Sequence, residues 1–186
     1  VDCLRRSLYN AAAVFHRSRL VATVHKTLLP TYDVFDEARY FKPATVGQIA
    51  PVSLSLSGKM IRLGVEICED LWDQDYDVKV TDLLARGRAD VIMNISASPF
   101  SVGKLLERFD LSREKAVRNR VPLFYVNLVG GQDELVFDGG SFAVDRSGRM
   151  IAMGKRFKED LVLTEIDLEL GLGQEVEVPT YRREQE

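Results

Sequence analysis

The fold is built around the segment Met60-Ile-Arg-Leu-Gly-Val-Glu-Ile-Cys68-Glu-Asp-Leu-Trp72. Apolar residues occupy every second position from 61 to 67, which is the periodicity of a half-buried strand. This strand leads directly into Cys68 and an acidic, aromatic turn. Such a position suits a nucleophile, because backbone N–H groups of the turn can stabilise a thiolate or an oxyanion there. The simpler interpretation is a packing cysteine, since free cysteine is among the most buried residue types.

Length and composition predict a globular domain. The chain has 186 residues, 46% of them hydrophobic and 28% charged, which is enough for one hydrophobic core. A net charge of −3 and the lack of a basic stripe argue against nucleic-acid binding. The sequence contains no run of about 18 apolar residues, so it predicts no membrane span. Cys3 and Cys68 are too few for a disulfide framework and lack metal-ligand spacing, so we expect no metal and a cytoplasmic location.

The rest of the chain alternates between strand and helix patterns. A β-hairpin is predicted over residues 8–25, with its turn at 16–18. The charged residues of the longer predicted helix, Arg108 and Lys115 among them, are expected to face solvent. Further strands are predicted at 49–56, 90–96, 122–129, 140–145, 149–154 and 161–167, helices at 77–88 and 103–119, and a turn at 130–134.

This order of elements predicts a mixed α/β domain with its helices packed on a sheet. Ligands of such sheets gather where the strands end. Cys68, Ser98 and Asn127 follow successive predicted strands. We therefore expect these three residues near one edge of the sheet.

A cysteine nucleophile needs a general base and a group that stabilises the oxyanion. Histidine is the usual base, and the chain has only His16 and His25. Strand alternation points His25 and Lys26 to opposite faces, so at most one of them faces Cys68. From these residues alone, a Cys–His pair and a packing cysteine both stay open.

Two motifs resemble those of the nitrilase (carbon–nitrogen hydrolase) superfamily. The first is His25-Lys-Thr-Leu-Leu-Pro30, and the second is Gly64-Val-Glu-Ile-Cys-Glu-Asp70. Three further segments are similar to the glutaminase domain of glutamine-dependent NAD synthetases, and the resemblance covers nearly the whole chain. They are Tyr32-Asp-Val-Phe-Asp-Glu37, Asn94-Ile-Ser-Ala-Ser-Pro-Phe100 and the run from Tyr125 to Ser141.

The resemblance implies an α/β fold of the nitrilase type, a four-layer α-β-β-α sandwich that is N-terminally truncated here. Residues 1–170 would form a partial carbon–nitrogen hydrolase (glutaminase) domain. Residues 171–186 would be a linker toward an absent synthetase domain. The general-base glutamate of the family would lie before Val1, so we expect the isolated chain to be impaired or inactive.

The resemblance also implies a reaction and its residues. Cys68 would attack the side-chain amide of glutamine and form a thioester with release of ammonia. Lys26 would stabilise the oxyanion together with the backbone N–H of Glu69, and Glu37 would be the third catalytic residue, the second, supporting glutamate of the superfamily. The residues implied in substrate binding are Tyr32, Glu69, Ser98 and Lys104.

The implied partners are glutamine, the synthetase domain of a full-length enzyme and further copies in a homo-oligomer. No cofactor is expected for the glutaminase reaction, and ATP and magnesium would serve only the absent synthetase domain. Two alternatives remain. The chain could be another amidase or carbamoylase of the superfamily, or a catalytically incomplete scaffold fragment that lacks the general base.

Overall fold

The segment around Cys68 forms the predicted long strand, which runs directly into the cysteine. The computed structural model describes residues 2–4 and 7–176. The chain divides into one unit at Val1–Ser96 and a second at Ala97–Glu186. Residues 177–186 of the predicted linker lie outside the described residues.

The first unit combines strand pairs with one α-helix. Its elements are β1 (Asp2–Leu4), β2 (Ser7–Tyr9), β3 (Ala11–His16), β4 (Arg19–His25), β5 (Val52–Leu56), β6 (Lys59–Ile67), α1 (Val80–Arg86) and β7 (Val91–Ser96). Strands β5 and β6 pair antiparallel, and β6 and β7 pair parallel. Three short 3₁₀ turns lie at Glu37–Arg39, Val46–Gln48 and Cys68–Leu71.

The predicted hairpin is confirmed as β3 and β4, which pair from Ala11↔His25 to His16↔Arg19. Its turn has two residues, Arg17 and Ser18, both with positive φ. This backbone matches the twist of the flanking strands in tight hairpins. The prediction was wrong in placing His16 in the turn. The hairpin ends at His25, and Lys26 follows directly after it.

The hairpin packs against the strand that carries the cysteine. Ala12 of β3 forms a buried apolar cluster with Val65 and Ile67 of β6, and Cys68 packs against this cluster. Successive side chains of a strand point to opposite faces, so one face of each strand turns inward; in β6 the alternation of apolar residues marks that face. The packing therefore joins the strand that leads to Cys68 to the hairpin that ends just before Lys26.

Gly64 lets the helix and the neighbouring strand approach β6 closely. A Cβ atom at this position would lie 2.4 Å from Cδ1 of Ile92 and 3.4 Å from Cβ of Leu84. Any larger side chain would push α1 or β7 away from the strand. Gly64 thus fixes the packing of β6 four residues before the cysteine.

The second unit places one long helix against a three-stranded antiparallel arrangement. Its elements are α2 (Lys104–Asn119), β8 (Leu123–Asn127), β9 (Val129–Gln132), β10 (Leu135–Asp138), β11 (Phe142–Val144), β12 (Met150–Met153), β13 (Ile166–Asp167) and β14 (Leu172–Gly173). Strand β11 pairs with both β8 and β12. Phe109 of α2 meets Phe142 of β11 edge to face, with 5.9 Å between ring centroids.

Three predictions for this unit were wrong. Residues 130–134 do not form a simple turn, because β9 continues to Gln132 and forms a hairpin with β10. The strand predicted at 161–167 is limited to β13. Arg108 and Lys115 are buried rather than exposed. For Arg108 the reason is a set of partners distant in sequence, which helical periodicity cannot report.

Candidate active site

Cys68 adopts a backbone conformation that L-residues rarely use. It lies at the junction of β6 and the 3₁₀ turn, with φ of +46°. A non-glycine residue in this region costs about 1–3 kcal/mol, and such residues cluster at functional sites. The side chain is only partly buried. Cys68 is therefore partly accessible at the junction where β6 ends.

Asp70 holds the cysteine turn and the lysine segment together. Its Oδ1 accepts hydrogen bonds from the backbone N–H groups of Thr27 (3.0 Å) and Leu28 (2.8 Å). Its Oδ2 accepts one from the N–H of Ile67 at 3.0 Å. One carboxylate thus binds the residues directly after Lys26 and directly before Cys68. Burial raises the pKa of Asp70 to about 6, against the opposing effect of these hydrogen bonds.

Lys26 is buried and paired with a carboxylate. Its side chain is 1% exposed, and its Nζ lies 2.5 Å from Oε1 of Glu37. The other oxygen of Glu37 accepts a hydrogen bond of 3.1 Å from Nδ2 of Asn10. The backbone of Lys26 is held as well, by its N–H to Asn10 and its carbonyl oxygen to the N–H of Ala44. Charge-assisted hydrogen bonds of this kind give a buried ammonium a defined position.

A second carboxylate beside the cysteine is bound by two tyrosines. The hydroxyl of Tyr32 lies 3.0 Å and 2.9 Å from the two oxygens of Glu69. The hydroxyl of Tyr76 lies 3.0 Å from Oε1 of the same residue. Burial raises the pKa of Glu69, and both tyrosine hydrogen bonds act in the opposite direction. Burial and the nearby carboxylate raise the pKa of Tyr76 to about 12 and also raise that of Tyr32.

A buried polar network lies behind the cysteine. Asn94 of β7 donates through Nδ2 to the carbonyl oxygen of Cys68 (3.3 Å) and to Glu66 (3.4 Å). Thr81 of α1 donates to the other oxygen of Glu66 at 2.9 Å. Glu66, Thr81 and Asn94 are fully buried. The network connects the strained cysteine backbone to both neighbouring elements.

The predicted residues Ser98 and Lys104 lie in the second unit. Ser98 is buried, and its backbone N–H donates to Oδ1 of Asn127 at 2.9 Å. Arg108 donates to the hydroxyl and to the carbonyl oxygen of Ser98, and it pairs with Asp138 at 2.7 Å. The Nζ of Lys104 lies 3.0 Å from the carboxylate of Glu107.

A sequence profile described as Carbon-nitrogen hydrolase matches residues 5–171. The chain belongs to the carbon–nitrogen hydrolase family. This match confirms the membership of the carbon–nitrogen hydrolases that the lysine and cysteine motifs predicted. For a carbon–nitrogen hydrolase, the strained Cys68 is the natural candidate for the active site, since Asp70 ties its turn to the segment that follows the buried Lys26.

Among carbon–nitrogen hydrolases, the chain is similar to one region of glutamine-dependent NAD synthetases. It is 42% identical, over 90% of its length, to a glutamine-dependent NAD(+) synthetase of Synechocystis. It spans only 30% of the length of that relative. A glutamine-dependent NAD+ synthetase structure from Acinetobacter baumannii has a TM-score of 0.83 and 32% identity, over 98% of this chain and 33% of that one. The resemblance to the glutaminase region of NAD synthetases is thus confirmed.

The expected nitrilase-type α/β fold is confirmed as well. Nit3 of Saccharomyces cerevisiae, a member of branch 10 of the nitrilase superfamily, has a TM-score of 0.65 over 83% of this chain and 52% of that one. At 24% identity, this likeness concerns the fold alone. Over the described residues, no helix is long and apolar enough to cross a membrane. In the same part of the chain, no group of His, Cys, Asp and Glu side chains could hold a metal ion.

The structure brings most of the predicted site residues into one unit. Contacts join Lys26 to Glu37 and Tyr32 to Glu69, and Asp70 links the lysine segment to the cysteine turn. His25 stacks on Tyr9 instead, with 4.1 Å between the rings. Sequence reasoning missed three residues that shape this site: Asp70, Tyr76 and Asn94. Asp70 stands inside the cysteine motif, where it could have been found, whereas no local pattern marks Tyr76.

Proposed function

We propose that the chain hydrolyses the side-chain amide of glutamine through a cysteine thioester and supplies ammonia for the synthesis of NAD from deamido-NAD. The observation that carries this proposal is the 42% identity, over 90% of the chain, to a glutamine-dependent NAD(+) synthetase. The surroundings of Cys68 support it, because the thiol can act as the nucleophile, and a cation and backbone N–H groups can stabilise the oxyanion of an acyl transfer.

The reaction follows from these parts. The thiolate of Cys68 attacks the amide carbon, and the oxyanion forms beside the ammonium of Lys26 and the backbone N–H of Glu69. A general base takes the thiol proton and passes it to the leaving nitrogen as the C–N bond breaks, so that ammonia leaves. Water then hydrolyses the thioester to glutamate and restores the thiol. Glu37 acts by holding the ammonium in place, since its carboxylate is the partner of Lys26. A preorganised buried cation stabilises the oxyanion better than a solvated one.

Substrate recognition is assigned by charge. The α-ammonium of glutamine would pair with Glu69, next to Tyr32. The α-carboxylate would pair with Lys104, with Ser98 as a further polar contact. Lys104 can change partner readily, because its bond to Glu107 joins two partly exposed side chains. The same proposal includes a homo-oligomer, a domain boundary between residues 170 and 171, a synthetase domain that uses ATP and magnesium, and a cytoplasmic location.

Two alternatives predict different results. A related amidase or carbamoylase would prefer simple amides to glutamine. A catalytically incomplete fragment without a general base would bind glutamine without turnover. Preferential release of ammonia from propionamide would indicate the amidase or carbamoylase, and preferential release from glutamine the glutaminase. Protection of Cys68 by glutamine without any ammonia release would indicate the incomplete fragment.

The test is labelling of Cys68 by the glutamine-like electrophile 6-diazo-5-oxo-norleucine, followed by mass spectrometry. We expect a single adduct on Cys68 that excess glutamine blocks and that Lys26→Ala weakens. Cys3, which is exposed, is the internal control for non-specific alkylation. No adduct on Cys68 in a folded sample, or equal labelling of both cysteines, would refute the proposed function.

A further inference from the structure

The carboxylate of Glu69 has more hydrogen-bond donors than a surface acid needs. It is 5% exposed and lies directly after Cys68 in the chain. The hydroxyl of Tyr32 is about equally far from both of its oxygens, at 3.0 Å and 2.9 Å. One hydroxyl has one hydrogen, so Tyr32 can serve only one of the two oxygens at a time. Alone, it would leave the other oxygen without a donor and the carboxylate free to turn.

Tyr76 resolves this ambiguity. Its hydroxyl donates to Oε1 of Glu69 at 3.0 Å, which leaves the hydrogen of Tyr32 for Oε2. Tyr76 is itself held by the chain turn after the cysteine, where its backbone N–H donates to the carbonyl oxygen of Asp73 at 3.1 Å. Each oxygen of Glu69 then keeps a lone pair for a further donor. The carboxylate is fixed in one orientation and still able to accept.

The two tyrosines also compensate for burial. Taking the carboxylate out of water raises the pKa of Glu69, and hydrogen bonds from Tyr32 and Tyr76 favour its charged form. The charged neighbours Lys26 and Glu37 act on it in opposite directions. A carboxylate that is both charged and oriented suits a cationic ligand, whereas a neutral amide alone gains little from it.

We propose that Tyr76 is a positioning residue that orients Glu69 for the cationic amino group of the substrate and so makes the site selective for amides that carry one. The inference rests on the proposed function, because the amide substrate is taken from there. It adds to that function a physical reason why the site selects amides with a cationic amino group.

The test compares electrophiles and protecting ligands that differ in one group. In the full chain with Tyr76→Phe, we expect labelling of Cys68 by 6-diazo-5-oxo-norleucine to slow about tenfold, the usual effect of one hydrogen bond to a charged group. Labelling by iodoacetamide, which lacks an amino-acid head group, should stay unchanged. Protection by glutamine should weaken about tenfold, while protection by its analogue without the α-amino group should not. Tyr40→Phe, at an exposed ring, is the matched control.

The outcomes separate the two proposals. If wild-type Cys68 is not labelled by 6-diazo-5-oxo-norleucine, the proposed function fails and this inference fails with it. If the wild type is labelled and Tyr76→Phe behaves like it, the inference alone is overturned. An equal loss with both electrophiles, or equal weakening of both protecting ligands, would give Tyr76 a merely structural role and would also overturn it.

Discussion

Replacing Asp70 by asparagine should change the pH dependence of stability in a defined direction. The carboxylate is 2% exposed and accepts three backbone hydrogen bonds. Burial raises its pKa from 3.8 to about 6. The folded protein therefore binds this proton more readily than the unfolded chain, so the contribution of Asp70 to stability falls as the pH rises through this window.

The magnitude follows from the shift. Each pKa unit corresponds to about 1.4 kcal/mol, so the full effect at neutral pH is about 3 kcal/mol. Between pH 5 and pH 7, wild type should lose about 1 kcal/mol through Asp70, and Asp70→Asn should lose none of it. The stability of wild type minus that of the variant should thus be about 1 kcal/mol larger at pH 5 than at pH 7. Glu69 is present in both proteins, and its titration cancels in this difference.

Urea unfolding at both pH values measures the effect. The single tryptophan, Trp72, lies directly after the cysteine turn and provides a local fluorescence signal. Asp75→Asn, at an exposed carboxylate in the next loop, is the control and should change stability by less than about 0.5 kcal/mol at both pH values. A difference between wild type and Asp70→Asn that stays constant, or grows toward pH 7, would refute the reasoning.

Two further substitutions test the buried ion pairs. Glu37→Gln should lower the free energy of unfolding by about 1–3 kcal/mol, because Lys26 loses its charged partner. The same loss should slow the labelling of Cys68 at least tenfold. Labelling at the wild-type rate would contradict the role given to Glu37. Arg108→Met should destabilise the chain by about 1–3 kcal/mol in urea unfolding, since the fully buried Asp138 loses one arginine partner and keeps Arg156. Arg118→Met, at an exposed pair, should cost less than about 0.5 kcal/mol, and equal losses for the two arginines would contradict the burial argument.

Local patterns predicted those elements whose stability depends on near neighbours. The β3–β4 hairpin, the strand before Cys68 and the long helix α2 all appear close to their predicted positions. Period-2 and period-3.6 spacing report which face of an element is apolar, and near neighbours in the chain suffice to form it. The strand predicted at 161–167 was too long, because an apolar run does not show how far pairing extends; the paired residues of β13 are Ile166 and Asp167.

The charged face of α2 shows where local patterns fail. Arg108 was expected to face solvent because it is charged, yet it is fully buried on the same helix face as Leu105 and Ser112. Its partners, Asp138 and the carbonyl oxygens of Ser98 and Pro99, come from elsewhere in the chain. A charge buried with partners has the same sequence signature as a charge in water. Only the tertiary structure distinguishes the two.

The sequence by itself determined the family, the strand that ends at Cys68 and the candidate roles of Lys26 and Glu37, because motifs and alternation are written in consecutive residues. The tertiary structure decided how these groups are arranged. The positive φ of Cys68, the contact between Asp70 and Leu28 across 42 positions and the hydrogen bond from Tyr76 to Glu69 follow no local spacing. Such contacts exist only once the hairpin and the cysteine strand have packed together, and that packing depends on the whole unit.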